Sequence, residues 1–171
     1  MNIEVSSVPI EHKPVLRNMF ELYRYDLSAF DGRDLGEHGL YDYGYLDHYW
    51  TDEHRFPFLV RVNGQLAGFV LVWRVPRENH IETRMSEFFI LRKYRGRGVG
   101  EAVAHEVFTR FPGVWSLSVD LRNEAGLRFW RRIVGRFTGD ACSERHESTS
   151  GRVVHEFNVP ARERMEAIQA P

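Results

Sequence analysis

The stretch over residues 91–108, LRKYRGRGVGEAVAHEVF, combines residue types that are suited to anion binding. Three glycines, Gly96, Gly98 and Gly100, follow a cluster of arginine and lysine and lead into a helical pattern of apolar residues. Glycine lets the backbone approach a ligand closely, and the first N–H groups of a helix have no partner within that helix. Because the helix dipole also favours negative charge at this end, the stretch predicts a site for a phosphate or pyrophosphate group.

The spacing of these glycines differs from two common phosphate-binding motifs. A dinucleotide-binding fingerprint, G-x-G-x-x-G, counted from Gly96 requires a third glycine at position 101, which is Glu101. A P-loop requires Gly-Lys-Ser or Gly-Lys-Thr, whereas Gly98 and Gly100 are followed by valine and glutamate. The pattern that remains is R-x-x-G-x-G over residues 95–100. A glycine turn beside a solvated arginine cluster is the alternative that the residues alone leave open.

The composition of the whole chain argues against several classes of function. The 171 residues are 43% hydrophobic and 27% charged with a net charge of −1, so no nucleic-acid or membrane partner is expected. A single cysteine, Cys142, excludes an internal disulfide, and no secretory signal or bilayer-spanning run is visible, so we expect a cytoplasmic protein. His38, His48 and His54 match no metal-ligand spacing, so no metal is expected.

The elements predicted around the glycines form a mixed sheet. Periodicity and turn residues, including Asn63-Gly64, predict strands over 3–8, 56–62, 65–75, 84–92 and 114–121, helices over 14–30, 45–54, 98–111 and 124–135, and a closing hairpin that ends at residue 159. The order predicts an α/β (α+β) fold with a central sheet of six to seven mostly antiparallel strands, flanked by helices. We expect a single domain over residues 1–171, with 161–171 as a frayed tail.

Two motifs in the right order make the chain similar to a known family. Residues 84–135 resemble the GCN5-related N-acetyltransferases (GNAT), whose signature is a strand, [Q/R]-x-x-G-x-[G/A], a helix, a splayed strand and a second helix with an Asn-x-x-Ala-like start. Residues 95–100 match the first motif and Asn123 matches the later asparagine. Ala125-Gly126 departs from the pattern, because members often show alanine one place later. The resemblance implies the GNAT, or acyl-CoA N-acyltransferase, type of fold.

The resemblance also implies acetyl-CoA as co-substrate. Its pyrophosphate would be held by the backbone of residues 95–100 and by the helix that begins near Val99. The strand at residues 89–91 would pair with the pantetheine arm where a bulge splays it from the next strand. The residues implied for cofactor binding are Phe89, Ile90, Leu91, Arg92, Arg95, Gly96, Arg97, Gly98, Val99, Gly100, Glu101, Asn123, Phe129 and Trp130.

Acetyl transfer to an amine requires a proton acceptor, stabilisation of an oxyanion and departure of a thiolate. Glu87 is the expected base, because it is the one carboxylate of the apolar strand RMSEFFILR and burial would raise its pKa. The alternatives are an exposed position at the strand's start or pairing with Arg84 or another arginine. A backbone N–H near Ile90 would stabilise the oxyanion. Trp130 stands where many members carry a tyrosine that serves as general acid. Because indole cannot act as a general acid, the proton donor would be water or Tyr94.

The acceptor is expected to be a small cationic amine or a peptide amine. Residues 21–54 hold nine acids and many tyrosines, and in the family this region borders the acceptor pocket. Acidic and aromatic side chains attract a cation, which makes Tyr25, Asp26 and Tyr45 candidate substrate contacts. A solvated acidic face whose tyrosines cover the core is the alternative.

Two other functions fit the same motifs. The missing tyrosine makes a non-catalytic acyl-CoA-binding or sensing module a rival to the enzyme, and a nucleotide-binding protein is a third interpretation. Family analogy also allows a homodimer through exposed edge strands in the C-terminal half.

Overall fold

Seven strands and three helices make up the computed structural model, which describes residues 1–41 and 43–161. In chain order they are β1 (Ile3–Ser7), α1 (Lys13–Asp31), β2 (Arg55–Val62), β3 (Gln65–Pro76), β4 (Ile81–Ile90), α2 (Val99–Arg110), β5 (Gly113–Asp120), α3 (Glu124–Thr138), β6 (Cys142–Glu147) and β7 (Arg152–Val159). The strands form one mixed sheet in the order β1-β2-β3-β4-β5-β7-β6. The predicted fold class is therefore confirmed.

Several predicted bounds differ from the structure. The strand expected over 84–92 is β4, Ile81–Ile90, because its first residues pair with Arg74–Pro76 of β3. The helix expected over 45–54 is a short 3-10 helix, Leu46–Trp50, whose residues Leu46 and Tyr49 are buried three positions apart as that geometry requires. The last helix continues past Gly135 to Thr138, because the residue that ends it is Gly139 in the left-handed conformation at φ 61°. Of the tail predicted at 161–171, residues 162–171 lie outside the described part of the chain.

The sheet separates two layers of apolar side chains. One face packs against α2 and α3, and the other packs against α1 and the 3-10 helix Leu46–Trp50. In β4, Ile90 belongs to the first layer and Phe89 to the second, and both are buried. The unbroken apolar run in this strand thus has burial on both faces, as a central strand requires.

The sheet opens between β4 and β5, which are its parallel pair. Residues Glu82–Met85 pair with Val114–Leu117, and beyond Met85 and Leu117 the two strands no longer pair. β4 continues against β3 to Ile90, while β5 continues against β7 to Asp120. The carboxyl-terminal halves of the two strands therefore border a gap, the kind of crevice in which α/β proteins bind ligands.

The C-terminal edge of the sheet is β6. Its residues pair with β7 alone and are almost all exposed. The homodimer expected from family analogy stays a prediction. None of the helices in the described ranges is long and apolar enough to cross a membrane.

Candidate active site

Two adjacent cavities, of about 560 Å³ and about 680 Å³, lie at the gap between β4 and β5. We call the first the glycine-side cavity, because Gly96, Gly98 and Gly100 line it, and the second the Glu87-side cavity. The wall that both share consists of Tyr23, Leu27, Phe30, Phe88, Asn123 and Trp130. A ligand in one cavity can therefore meet a ligand in the other across the open edge of β4.

The glycine turn opens helix α2 with bare backbone. Gly96 and Gly98 have φ angles of 72° and 79°, which side chains disfavour, and Gly98 is the N-cap of the helix. A Cβ on Gly100 would lie 3.0 Å from the Phe129 ring, so that position must also be small. No side chain caps the helix, and the first α2 hydrogen bond runs from Ala102 N to Gly98 O. The earlier N–H groups are therefore available to an anion.

Asp26 binds the two arginines nearest this turn. Its Oδ1 accepts from Arg92 Nη2 at 2.7 Å and its Oδ2 accepts from Arg95 Nη2 at 2.5 Å. Burial alone would raise the Asp26 pKa, but the hydrogen bonds from Arg95 and Arg92 outweigh it and hold the pKa below its usual range. Asp26 was expected at the acceptor, and the structure places it instead in the glycine-side cavity.

The other residues predicted for the cofactor divide into two groups. Phe89, Ile90, Arg92, Arg95, Gly96, Gly98, Gly100, Glu101, Asn123, Phe129 and Trp130 line the glycine-side cavity. Leu91, Arg97 and Val99 do not line either cavity, and the Val99 side chain is buried in the core. Only the backbone of Val99 is then free to meet a ligand. The structure thus brings together most of the predicted set.

Asn123 caps helix α3 at the boundary of the two cavities. Its Oδ1 accepts from Gly126 N at 2.9 Å, which satisfies one unpaired N–H of the helix start. A Cβ on Gly126 would lie 2.7 Å from the Asn123 side chain. The glycine that departs from the family pattern therefore accompanies this tight cap.

A β-bulge directs Glu87 toward α1. Leu71 pairs with Glu87 but Val72 pairs with Met85, so β4 carries one extra residue, Ser86, at this point. Because side chains alternate along a strand, the extra residue moves Glu87 to the face opposite Met85. Without the bulge, the carboxylate would point into the layer under α2 and α3.

Glu87 is held there by tyrosines. Tyr23 Oη donates to Glu87 Oε2 at 2.6 Å, and Tyr43 also interacts with the carboxylate. Burial raises the Glu87 pKa, while the hydrogen bonds and the charge of Arg24 oppose the shift without cancelling it. Burial also raises the pKa of Tyr23 and Tyr43, so both stay protonated donors. Arg84 binds Glu82 at 2.8 Å, so it does not supply the partner considered for Glu87.

Tyr94 and Trp130 occupy different surroundings. Tyr94 is buried in the layer under α2 and α3 and lines neither cavity. Trp130 lines both cavities, and its ring packs edge-on against Phe88 with centroids 5.0 Å apart. The Phe88 and Trp130 rings thus make an apolar wall at the junction.

Four of the nine acids in the stretch over 21–54 pair with basic residues, three of them with residues outside the stretch. Its paired carboxylates are Asp26 with Arg92 and Arg95, Asp31 with Arg24 and Arg33, Asp47 with Lys13, and Asp52 with Arg55. Tyr25 is exposed and lines neither cavity, whereas Tyr45 is exposed and lines the Glu87-side cavity. Of the three candidate acceptor contacts, Tyr45 alone reaches that cavity.

Sequence reasoning missed the basic lining of the Glu87-side cavity. Four arginines line it, and they come from α1, from the segments that follow α1 and β5, and from β7: Arg24, Arg33, Arg122 and Arg152. No local pattern joins such distant positions. Among the described ranges no group of three metal-ligand side chains lies together.

Comparison with known proteins identifies a family. The sequence profile of the Acetyltransferase (GNAT) family matches residues 17–135. No curated protein matches the sequence.

Solved structures share the fold at low identity. An acetyltransferase from Thermus thermophilus superposes with a TM-score of 0.70 at 15% identity, over 93% of this chain and 98% of that one. A PaiA N-acetyltransferase from Thermoplasma acidophilum, in complex with coenzyme A, has a TM-score of 0.61 at 13% identity, over 92% and 99%. Spermidine N-acetyltransferase from Vibrio cholerae, in complex with CoA and spermine, has a TM-score of 0.60 at 11% identity, over 90% and 92%. Similarity at these identities establishes the fold.

Proposed function

The chain belongs to the GNAT family of acetyltransferases, and we propose that it moves the acetyl group of acetyl-CoA directly to a primary amine of a small acceptor. The observation that carries the proposal is the junction of the two cavities. A glycine turn at a helix start opens one cavity, the half-buried Glu87 carboxylate lines the other, and the open edge of β4 runs between them. Such a site lets two substrates meet directly.

Acetyl-CoA occupies the glycine-side cavity in this proposal. The N–H groups at the start of α2 bind the pyrophosphate, and Arg92 and Arg95 exchange Asp26 for phosphate oxygens. The pantetheine arm lies along β4, between Phe129 and Trp130 on one side and Phe89 and Ile90 on the other. The relatives from T. acidophilum and V. cholerae that were solved with coenzyme A support this choice of ligand.

The open edge of β4 supplies the oxyanion donor. A Cβ on Gly68 would lie 2.1 Å from Phe89 O, so the Phe89 carbonyl points at β3. The carbonyl of the next residue points away from β3, and Ile90 O accepts from Arg95 Nε at 2.6 Å. Because the N–H and C=O of one strand residue point to the same side, the Ile90 N–H faces the gap. We propose that it stabilises the negative oxygen of the tetrahedral intermediate.

Glu87 accepts the proton that the attacking amine must lose. Glu87 takes one proton from the ammonium group, directly or through water, and the neutral amine nitrogen then forms a bond to the thioester carbon. The second nitrogen proton passes to water as the C–S bond breaks. Tyr23 keeps the carboxylate oriented through its 2.6 Å hydrogen bond. The CoA thiolate leaves with the electron pair and takes a proton from water, because a thiolate is a good leaving group. The buried position of Tyr94 favours water over this tyrosine as the donor.

The acceptor approaches from the Glu87-side cavity as an ammonium ion. Tyr43, Tyr45 and Glu87 line its path, and aromatic faces and a carboxylate attract a cation. The spermine-bound V. cholerae relative supports a small amine, and a peptide amine fits the same opening. We also propose that residues 1–171 form one transferase domain, because a single sheet runs from β1 to β7. The single cysteine, Cys142, supports a cytoplasmic location.

The test measures CoA release from acetyl-CoA over polyamines, aminoglycosides, amino acids and peptides, with wild type and Glu87→Gln side by side. We expect turnover on one class, and a loss of about 10²- to 10⁴-fold in the variant. Equal rates would keep the enzyme and reduce Glu87 to a structural carboxylate. Binding of acetyl-CoA without turnover on any amine would favour the sensing module, and failure to bind it would contradict the proposal.

A further inference from the structure

The Glu87-side cavity carries more positive than negative side chains. Four arginines and three carboxylic acids line it. Asp31 lies 2.9 Å from Arg24 and 3.5 Å from Arg33. Asp120 accepts two hydrogen bonds from Arg122, at 2.9 Å and 2.7 Å. Two of the three acids are therefore occupied by arginines, and Glu87 is the third.

Of the four arginines that line this cavity, Arg152 is the one that makes no ion pair with a carboxylate of the described residues. Its Nε donates to Ser118 Oγ at 3.0 Å and its Nη2 donates to Ser118 O at 2.8 Å, and both acceptors are neutral. Asp120 faces it across the β5–β7 pair, but that carboxylate is held by Arg122. The two hydrogen bonds fix the guanidinium at the cavity wall with no carboxylate in direct contact, although Asp120 and Glu147 feel its charge.

Arg24 is a second arginine of the cavity lining, and its Nη2 is bound to Asp31. It is only 6% exposed, and its Nε has no hydrogen-bond partner among the described residues. The charges of Arg24 and Arg152 both act on Glu87 and Tyr23. A substrate next to Glu87 is therefore within the field of both arginines. That field favours a substrate that carries a negative group beside its amine.

From this arrangement we propose that the acceptor carries an oxyanion, a carboxylate or a phosphate, which binds Arg152 and Arg24 while its amine faces Glu87. The planar guanidinium fork matches both oxyanions, and charge-assisted hydrogen bonds are the stronger kind. The acceptor is then a zwitterion such as an amino acid or a phosphorylated amine. Simple polyamines are poor acceptors. The inference rests on the proposed acetyl transfer and names its substrate class.

Matched pairs of acceptors isolate the oxyanion. Ornithine and putrescine, lysine and cadaverine, and tyrosine and tyramine each differ by one carboxylate, while phosphoethanolamine and ethanolamine differ by one phosphate. We expect kcat/KM to be about 10- to 100-fold higher for the anionic member of at least one pair, the range that one charge-assisted hydrogen bond supplies. The carboxylate and phosphate pairs tell which oxyanion is preferred.

Variants assign the preference to the arginine. Arg152→Gln should raise KM for the anionic acceptor and bring the ratio within the pair toward one, and Arg152→Lys should restore part of it. Arg145→Gln is the matched control, because Arg145 pairs with Glu147 on the exposed edge and lines neither cavity. Thermal unfolding of each variant separates a folding defect from a binding defect.

Calorimetry on the CoA-loaded protein keeps the two proposals distinguishable. Turnover that is equal within every pair, or that favours the member without the oxyanion, would overturn this inference and leave the acetyl transfer standing. If no acceptor turns over, tighter binding of an anionic member that Arg152→Gln removes would uphold the site and reject the transfer. No turnover and no such binding would overturn the inference as well.

Discussion

The two cavities present different parts of the chain to a ligand. The glycine-side cavity presents the backbone of one continuous turn, in which Gly96 and Gly98 adopt conformations that side chains disfavour. The Glu87-side cavity presents side chains, from α1, β4, β5, β7 and the segment around Tyr43. A backbone site depends on a local turn and suits a ligand that every family member shares. A side-chain site depends on which distant elements meet, so it can differ from one member to the next.

The largest expected effect comes from distorting the glycine turn of the glycine-side cavity. Gly98→Val places a β-branched residue at φ 79°, which distorts the turn where the pyrophosphate would bind. We expect KM for acetyl-CoA to rise about 10- to 100-fold, the result of about 1–3 kcal/mol of backbone strain. Steady-state kinetics measure it.

Gly139→Val is the control for that change. Gly139 has a φ of 61° at the end of α3 and lines neither cavity, so the variant carries similar strain elsewhere. It should lower the thermal stability and leave KM for acetyl-CoA unchanged. A similar loss of affinity in both variants would mean that strain in general, and not the turn, controls binding.

The pH dependence of kcat/KM probes the Glu87-side cavity. Glu87 accepts a proton only when ionised, so kcat/KM should rise with pH through its raised pKa, and the rise should begin above the range of an ordinary carboxylate. The Tyr23 hydrogen bond lowers that pKa, so Tyr23→Phe should move the rise to higher pH by about one unit.

Stability gives the same titration a second readout. Because the folded-state pKa of Glu87 is raised, its contribution to stability is fully present below the unfolded pKa and is lost as pH rises through the folded pKa. Chemical denaturation of wild type and Glu87→Gln across that window measures the loss. A profile that Tyr23→Phe leaves in place would show that another group titrates.

A substitution of Asp26 tests whether this carboxylate competes with the cofactor for two arginines of the glycine-side cavity. The carboxylate binds Arg92 and Arg95, which the cofactor is proposed to use. Asp26→Asn should free both side chains and lower KM for acetyl-CoA by about three- to ten-fold at low salt, less at high salt because screening weakens the competition. Asp47→Asn, whose exposed partner is Lys13, should have no effect. A weaker affinity in Asp26→Asn would mean that Asp26 positions the arginines.

The smallest expected effect lies on the shared wall. Asn123→Ala removes the α3 cap made through Gly126 N, and we expect the free energy of unfolding to fall by about 1 kcal/mol. Denaturant unfolding measures this. Asn123→Asp keeps an acceptor at that position and should retain most of the stability. A larger loss of activity than of stability would indicate that the amide contacts a substrate.

Local chemistry explains which features were predictable. Asn63 and Gly64 both adopt positive φ, 49° and 77°, and make the hairpin that the dipeptide predicts. Glu87 was recognised as a carboxylate on an apolar strand, but the bulge at Ser86 and the bond to Tyr23 were not, because both depend on the register with β3 and on the packing of α1. The acidic stretch predicted an acceptor contact at Asp26 for the same reason. The basic residues that pair with its acids, Lys13, Arg55, Arg92 and Arg95, come from other parts of the chain.

The sequence by itself determined the fold class, the order of the elements and the glycine turn that opens α2. These follow from periodicity and from residues whose backbone preferences act over a few positions. Tertiary structure alone decided the charge of the acceptor side, because that charge depends on which carboxylates find partners. Asp120 ends β5 and meets Arg122 two residues later, whereas Arg152 reaches the cavity wall only because β7 pairs with β5. Pairing between distant strands is a property of the folded sheet, so no local pattern in the sequence records it.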